Sequence, residues 1–123
     1  YSLQDHVSFT GSLNGEEMKK EYLKANVFIC PSAIENSPNS LGEAQILGVP
    51  CVTAYAGGIP DMMIGCEENM YRFEEIEMLA EIVCRIFSSQ KNCNSMLNIA
   101  LKRHCIKDNS ERLYSIYKSI VGL

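Results

Sequence analysis

The chain has 123 residues, about the length of one ordinary domain. Its net charge of −4 argues against nucleic acid as a partner, because nucleic-acid-binding domains usually carry a basic patch. No apolar run approaches the length of a membrane-spanning helix, so we expect no transmembrane segment and a cytoplasmic location.

Hydrophobic patterning predicts strands that alternate with helices along the first part of the chain. The predicted elements are, in order, a strand at Val7–Phe9, a helix over residues 15–25, a strand at Val27–Cys30, a helix over 39–48, a strand at Cys51–Ala54, a short helix around Pro60–Ile64 and a strand at Asn69–Phe73. This order is that of a parallel α/β unit, and we expect an α/β three-layer sandwich with a short parallel, Rossmann-like sheet.

Three further helices are predicted over residues 74–88, 92–105 and 109–121. The apolar stripes of the predicted helices are expected to face the core. They consist of Met18, Tyr22 and Leu23 in the first helix, of Ile76, Leu79, Ala80, Val83, Ile86 and Phe87 in helix 74–88, and of Leu113, Ile116, Tyr117, Ile120 and Val121 in the last.

The six cysteines show neither a Cys-x-x-Cys pair nor the spacing of metal ligands. We therefore expect reduced thiols in a reducing compartment and no bound metal. Cys30 and Cys51 fall in predicted buried strands, and Cys84 falls in a predicted helix core.

Two carboxylates, Glu35 and Glu43, are separated by seven residues across a loop that leads into a predicted helix. Asn39 and Ser40 are good N-cap residues, and Ser40 and Glu43 have the spacing of a capping box. The N–H groups and the dipole of such a helix start suit a phosphate, and Glu35 is placed to accept hydrogen bonds from neighbouring sugar hydroxyls. The alternative is that Glu43 only caps the helix and that Glu35 is a solvated loop carboxylate.

Several blocks of the chain resemble the C-terminal nucleotide-binding domain of GT-B glycosyltransferases, in the retaining group with a Glu-x7-Glu motif. Besides the two glutamates, the blocks are Val7-Ser-Phe-Thr-Gly11, Glu17-Met-Lys-Lys-Glu-Tyr22, Ala25-Asn-Val-Phe-Ile-Cys-Pro-Ser32, Gly48-Val-Pro50 and Gly57-Gly-Ile-Pro-Asp61. They occur in the family's order and spacing over residues 7–73, with a weaker helical tail. The resemblance implies half of a GT-B C-terminal domain, so that residues 1–123 form a single partial domain.

The resemblance also implies an activity: transfer of a sugar, with retention, from a nucleotide-diphospho-sugar linked to uridine or guanosine diphosphate to a hydroxyl acceptor. No metal or other cofactor is implied. By the resemblance, Glu35 contacts the donor sugar and Glu43 accepts hydrogen bonds from the ribose. The backbone of Asn39 and Ser40 binds the diphosphate. Gly57 and Gly58 line the donor side of the cleft, and Gly11 and Ser12 lie near the base. Many relatives have glycine at the positions of Asn36 and Pro38, so the loop here should be stiffer.

By the same resemblance, the N-terminal acceptor-binding domain and the basic pair that neutralises the leaving diphosphate are absent. The chain is then a fragment that is inactive alone, whose parent belongs to polysaccharide biosynthesis and is compatible with peripheral attachment to a membrane. Lys19, Lys20 and Lys24 are interpreted as solvated surface. Two other functions stay open: a sugar-nucleotide epimerase of the GT-B fold and a non-catalytic nucleotide-binding module.

In the sheet of the family, two further strands lie between the strand that corresponds to Val7–Phe9 and the strand that corresponds to Val27–Cys30. The resemblance implies that this chain lacks both, which leaves Val27–Cys30 with an unpaired edge. Unpaired edges recruit other strands. Either Val7–Phe9 pairs directly with Val27–Cys30, or two chains associate, and we expect a homodimer or a larger species.

Overall fold

The computed structural model describes residues 2–89 and 94–122, without the side chains of residues 94 and 95. These residues contain six α-helices, three strands and two short 3-10 turns, at Gln4–His6 and Glu67–Asn69. The helices and strands are α1 (Gly15–Lys24), β1 (Phe28–Cys30), α2 (Asn39–Ile46), β2 (Cys51–Ala54), α3 (Ile59–Met62), β3 (Met70–Tyr71), α4 (Ile76–Ser88), α5 (Asn94–Arg103) and α6 (Ile106–Val121).

The three strands form one parallel sheet in the order β1, β2, β3. Ile29 on β1 lies opposite Val52 on β2, and Thr53 on β2 lies opposite Met70 on β3. All four residues of β2 are buried, as expected for the central strand of a parallel sheet that is covered on both faces.

The side chains of β2 alternate between two apolar clusters, one on each face of the sheet. Cys51 packs in the first cluster with Tyr22 of α1, Leu41 of α2 and Ile59 of α3. On the other face, a second cluster combines Val52, Ala54, Tyr71 and Ile82 of α4. Helices therefore cover both faces, which confirms the predicted α/β class and is consistent with half of a Rossmann-like GT-B domain.

Local sequence signals explain where the first two helices begin and end. Asn14 and Glu17 form a reciprocal capping box at the start of α1, with N···O distances of 3.0 Å and 2.9 Å. Gly48 follows the end of α2 with a φ of +74°, a conformation that favours glycine. The sequence prediction that Gly48 ends this helix is confirmed.

The predicted strand at Val7–Phe9 is wrong. Val7 has extended backbone angles, but residues 7–10 join no sheet, and Phe9 is 95% exposed. A strand needs a neighbour to take its backbone hydrogen bonds, and the described residues place none beside this segment. The segment does not pair with β1 either, whose ladder partner is β2.

The faces that the helices bury differ in part from the predicted stripes. α4 packs around Ile82, with Leu79, Val83 and Ile86 beside it. The other predicted members of its stripe, Ile76, Ala80 and Phe87, are exposed. Leu23 of α1 and the thiol of Cys84 are also exposed, contrary to prediction. The predicted inward stripe of α6 is wrong as well, because no described element covers it. Its exposed members are Leu113, Ile116, Tyr117, Ile120 and Val121.

Among the cysteines, Cys30 and Cys51 are buried in β1 and β2 as predicted. The reduced state predicted for Cys93, and the predicted helix start at residue 92, lie outside the described residues. In the part of the chain that is described, no helix is both long and apolar enough to cross a membrane.

Candidate functional site

The parallel strands bring two loops to the same edge of the sheet. β1 ends at Cys30 and leads into the loop that carries Glu35, while β2 ends at Ala54 and leads into the loop that carries Gly57 and Gly58. The carboxyl edge of an open parallel sheet is where ligands of α/β proteins bind. The candidate site is therefore built from these two loops and from the beginning of α2.

The two loops pack main chain against main chain. A Cβ atom at Gly57, whose φ is +47°, would lie 1.8 Å from the Glu35 carbonyl oxygen, and one at Gly58 would lie 2.3 Å from the Asn36 carbonyl oxygen. Real Cβ atoms do not approach other atoms so closely, so only glycine fits at both positions. The structure thus brings Gly57 and Gly58 against the backbone of Glu35 and Asn36.

Glu35 is half-buried at this junction. Its Oε1 atom accepts a hydrogen bond from the Asn36 N–H at 3.0 Å, which fixes the carboxylate close to its own backbone. An ionised carboxylate offers about four acceptor sites. The side chain therefore keeps most of its capacity to accept hydrogen bonds from a hydroxylated ligand.

The loop tolerates Asn36 and Pro38 without backbone strain. No described residue other than glycine has a positive φ, so neither position uses a conformation that would favour glycine. Pro38 is the N-cap of α2, where its φ of −67° matches the angle fixed by the ring.

The start of α2 is not closed by a capping side chain. The carbonyl of Pro38 accepts hydrogen bonds from the N–H groups of Leu41 and Gly42, and no side chain caps the helix. The predicted capping box between Ser40 and Glu43 is therefore wrong. Asn39 and Ser40 are the first two helical residues, and their N–H groups point toward the open end of the helix, where an anion is favoured.

Glu43 contacts α1 rather than the helix start. The hydroxyl of Tyr22 lies 3.3 Å from Glu43 Oε2 and 3.2 Å from the carbonyl oxygen of Ser40. Burial and then the charge of Glu43 raise the pKa of Tyr22 to about 12, so the hydroxyl remains protonated at neutral pH. Glu43 itself is exposed. This contact between α1 and α2 takes the place of the expected cap.

A cavity of about 250 Å³ lies beside Glu43, between α1 and α2. Its lining consists of Gly15, Lys19, Tyr22, Glu43, Ile46 and Leu47. Lys19 is exposed, as its interpretation as solvated surface requires, but it also lines this cavity. Gly11 and Ser12, the predicted neighbours of the base, are exposed residues of the preceding turn and are not part of the lining.

A second cavity, of about 480 Å³, lies at the carboxyl ends of β2 and β3. Tyr55, Arg72 and Phe73 line it, together with Ala33 from the loop that carries Glu35. The sequence-based interpretation includes none of these residues, nor Tyr22 as a contact of Glu43. The sequence does contain a signal that could have placed Tyr55 and Arg72 at this edge of the sheet. Tyr55 directly follows the predicted strand Cys51–Ala54, and Arg72 lies near the end of the predicted strand Asn69–Phe73.

The architecture and the site define a parallel α/β domain with a polar, phosphate-compatible site at its carboxyl edge. Residues 1–103 match the family Glycosyl transferases group 1, and the chain belongs to this family. No solved structure matches the chain.

Three curated proteins illustrate the relationship. The chain is 44% identical over 65 residues to the sulfoquinovosyl transferase SQD2 of Arabidopsis thaliana, a match that covers 53% of this chain and 13% of that protein. It is 38% identical over 55 residues to a GDP-mannose-dependent alpha-mannosyltransferase of Corynebacterium glutamicum, with 45% of this chain and 13% of the relative covered.

The third relative is the phosphatidylinositol N-acetylglucosaminyltransferase gpi3 subunit of Schizosaccharomyces pombe. It is 22% identical over 123 residues, which is 98% of this chain and 27% of that protein. The chain thus spans between 13% and 27% of the length of these relatives. The family and all three relatives are named as glycosyl transferases, and none of these names points to the epimerase or to a non-catalytic module.

Proposed function

We propose that this chain supplies the donor-binding part of a retaining glycosyltransferase whose donor is a sugar linked to uridine or guanosine diphosphate. The observation that carries the proposal is the meeting of Glu35, the two glycines and the open start of α2 at one edge of the sheet. The name of the Corynebacterium relative, which is GDP-mannose-dependent, supports a guanosine diphosphate donor as one of the two choices.

Each part of the site has a proposed role. The N–H groups of Asn39 and Ser40 bind the diphosphate, because the positive end of the helix dipole stabilises an anion there. Glu43 accepts hydrogen bonds from the ribose hydroxyls, and Glu35 contacts the donor sugar near the bond that breaks. Gly57 and Gly58 form the donor side of the cleft, and Gly11 and Ser12 lie on the side of the base.

We also propose that the chain binds the donor without catalysing transfer alone. A diphosphate leaving group needs concentrated positive charge in the transition state. Among the described residues, the cavity beside Glu43 has Lys19 as its cationic side chain and the cavity beyond β3 has Arg72. Completion of the reaction then requires an acceptor-binding domain and further basic residues. For the chain alone, we expect a dissociation constant for the nucleotide of about 1 mM.

The test is a titration of the chain with uridine diphosphate and guanosine diphosphate, followed by the amide resonances. We expect shifts at Asn39, Ser40 and Glu43, and shifts confined to α4 and α6 would contradict the proposal. In an active transferase that contains this chain, Glu43→Ala should raise the donor KM about tenfold through lost hydrogen bonds. Glu35→Ala should lower kcat by about 100-fold, since it contacts the reacting sugar.

Glu77→Ala is the matched control, because this exposed glutamate lies in the first turn of α4 on the opposite side of the sheet. Its KM and kcat should equal those of the unmodified enzyme. Unchanged kinetics in both Glu35→Ala and Glu43→Ala would remove the proposed assignment.

A further inference from the structure

Tyr22 is a buried side chain that reaches the candidate site from a different element. It is 5% exposed and belongs to the first apolar cluster. Its ring packs edge-on against Phe28, with 5.7 Å between ring centroids and 62° between planes. Burial in the cluster and the contact with Phe28 both hold the ring. The position of the Tyr22 hydroxyl is therefore fixed by the core and not by the site.

The hydroxyl has one hydrogen and two acceptors. It lies 3.2 Å from the Ser40 carbonyl oxygen and 3.3 Å from Glu43 Oε2, and both distances exceed the roughly 2.7–2.8 Å that is usual for such bonds. The hydrogen is therefore shared between the two acceptors. Ser40 lies in the first turn of α2 and Glu43 one turn further, so this one donor contacts two residues of α2 to which the proposed function gives a role in nucleotide binding.

The contact with Tyr22 bears on the orientation of Glu43. It is exposed, and an exposed glutamate samples several rotamers whose restriction costs free energy when a ligand binds. A contact to Oε2 restricts the side chain in advance. It also leaves the other acceptor sites of the carboxylate for a ligand.

We propose that Tyr22 is a positioning residue for nucleotide binding: its hydroxyl orients the Glu43 carboxylate toward the ribose hydroxyls and ties that carboxylate to the first turn of α2. This inference rests on the proposed function, because it takes Glu43 as the ribose contact. A purely structural Tyr22 would serve only to fill the core, and a tyrosine-to-phenylalanine change would then leave nucleotide affinity unaltered.

The experiment is a double-mutant cycle on the chain, with uridine diphosphate and guanosine diphosphate each used alone as probe. Dissociation constants are measured by amide titration for the unmodified protein, Tyr22→Phe, Glu43→Ala and the double variant. Tyr22→Phe keeps the ring and should weaken binding about three- to tenfold, the loss expected for one hydrogen bond. In the Glu43→Ala background the same change should have no effect, since no carboxylate remains to be oriented.

Tyr71→Phe is the matched control. Tyr71 is equally buried, at 3% exposure, but it packs in the second cluster on the other face of the sheet. The Tyr71→Phe variant should bind both nucleotides as tightly as the unmodified protein. Thermal midpoints of the two phenylalanine variants, measured in parallel, separate a general loss of stability from the loss of positioning.

The possible failures are distinguishable. If Glu43→Ala binds as tightly as the unmodified protein, the ribose contact that the proposed function gives to Glu43 and this inference are both overturned. If Glu43→Ala weakens binding and Tyr22→Phe does not, the proposed function stands and the inference is overturned. An equal loss from Tyr22→Phe with and without the Glu43 carboxylate also overturns the inference, because Tyr22 would then act through another group.

Discussion

Gly57 determines at the level of single atoms how the two loops of the site meet. Its φ of +47° excludes most side chains, and a Cβ atom there would lie only 1.8 Å from the Glu35 carbonyl oxygen. Gly48 has an even larger φ of +74° but no atom within 4 Å of a Cβ. The two glycines therefore separate the effect of backbone angle from the effect of close contact.

We predict that Gly57→Ala destabilises the fold by at least about 2 kcal/mol, because the angle is strained and the Glu35 loop must move away. Gly48→Ala should cost about 1 kcal/mol, for the angle alone. Urea unfolding gives both values. Nucleotide binding should be lost in Gly57→Ala and retained in Gly48→Ala. Equal effects of the two changes on stability and binding would show that the close contact at Gly57 adds nothing to the effect of the backbone angle, contrary to this prediction.

Sequence patterns locate part of the site and miss another part for a physical reason. The order of strand, loop and helix places Glu35 and Asn39 at the carboxyl edge of a parallel sheet, because chain order determines which loops meet there. The partner of Glu43 is not predictable in this way. Tyr22 lies 21 residues away on α1, and its contact depends on how α1 packs against α2, whereas the capping-box spacing of Ser40 and Glu43 is a purely local signal.

At the scale of elements, Arg103 of α5 forms a hydrogen-bond network with α2 and α3. The half-buried guanidinium donates hydrogen bonds to the carbonyl oxygens of Asp61 at 2.6 Å and Met62 at 3.0 Å, and to Gln45 Oε1 at 3.3 Å. Gln45 is fully buried, and its amide also donates to the Met62 carbonyl oxygen at 2.9 Å. This network joins α2, α3 and α5.

We predict that Arg103→Met destabilises the protein by about 2–3 kcal/mol, since it leaves the buried Gln45 oxygen and two carbonyls without a charged donor. Lys102→Met is the control on the same helix, because Lys102 is exposed, and it should change stability by no more than about 0.5 kcal/mol. Chemical unfolding of both variants is the measurement. Similar losses in the two variants would mean that the network contributes little.

The elements differ in how well the sequence specifies them. β2, α1, α2 and α4 agree with prediction to within a few residues, since their apolar periodicity and their terminating residues are local signals. A strand also needs a neighbour, and Val7–Phe9 has β-like composition without one. The same dependence on neighbours explains α6, where a regular apolar stripe predicts a buried face only if another element covers it.

At the scale of the whole molecule, the described residues show an exposed apolar stripe and an open strand edge. The stripe of α6 is exposed, and β1 lies at the end of the sheet order, with β2 as its ladder partner. Exposed apolar patches and open strand edges both favour association. We therefore predict a dimer or larger species in sedimentation experiments at about 0.1 mM, a concentration that populates complexes of micromolar affinity.

The double substitution Ile116→Lys and Ile120→Lys should shift the protein toward monomer, because it places two charges within the α6 stripe. Ser115→Lys with Ser119→Lys is the matched control. It adds the same charges at the same spacing and leaves the apolar residues intact, so the association should persist. A monomer in the unmodified protein at this concentration would contradict the prediction.

The contact of Gly57 with the loop after β1 is made by the carbonyl oxygen of residue 35, an atom that every amino acid has. The frame of the cleft is thus independent of which side chain residue 35 carries. Replacement of that side chain should therefore leave the junction of the two loops in place. A loss of activity in Glu35→Ala can accordingly be assigned to the missing carboxylate and not to a displaced loop.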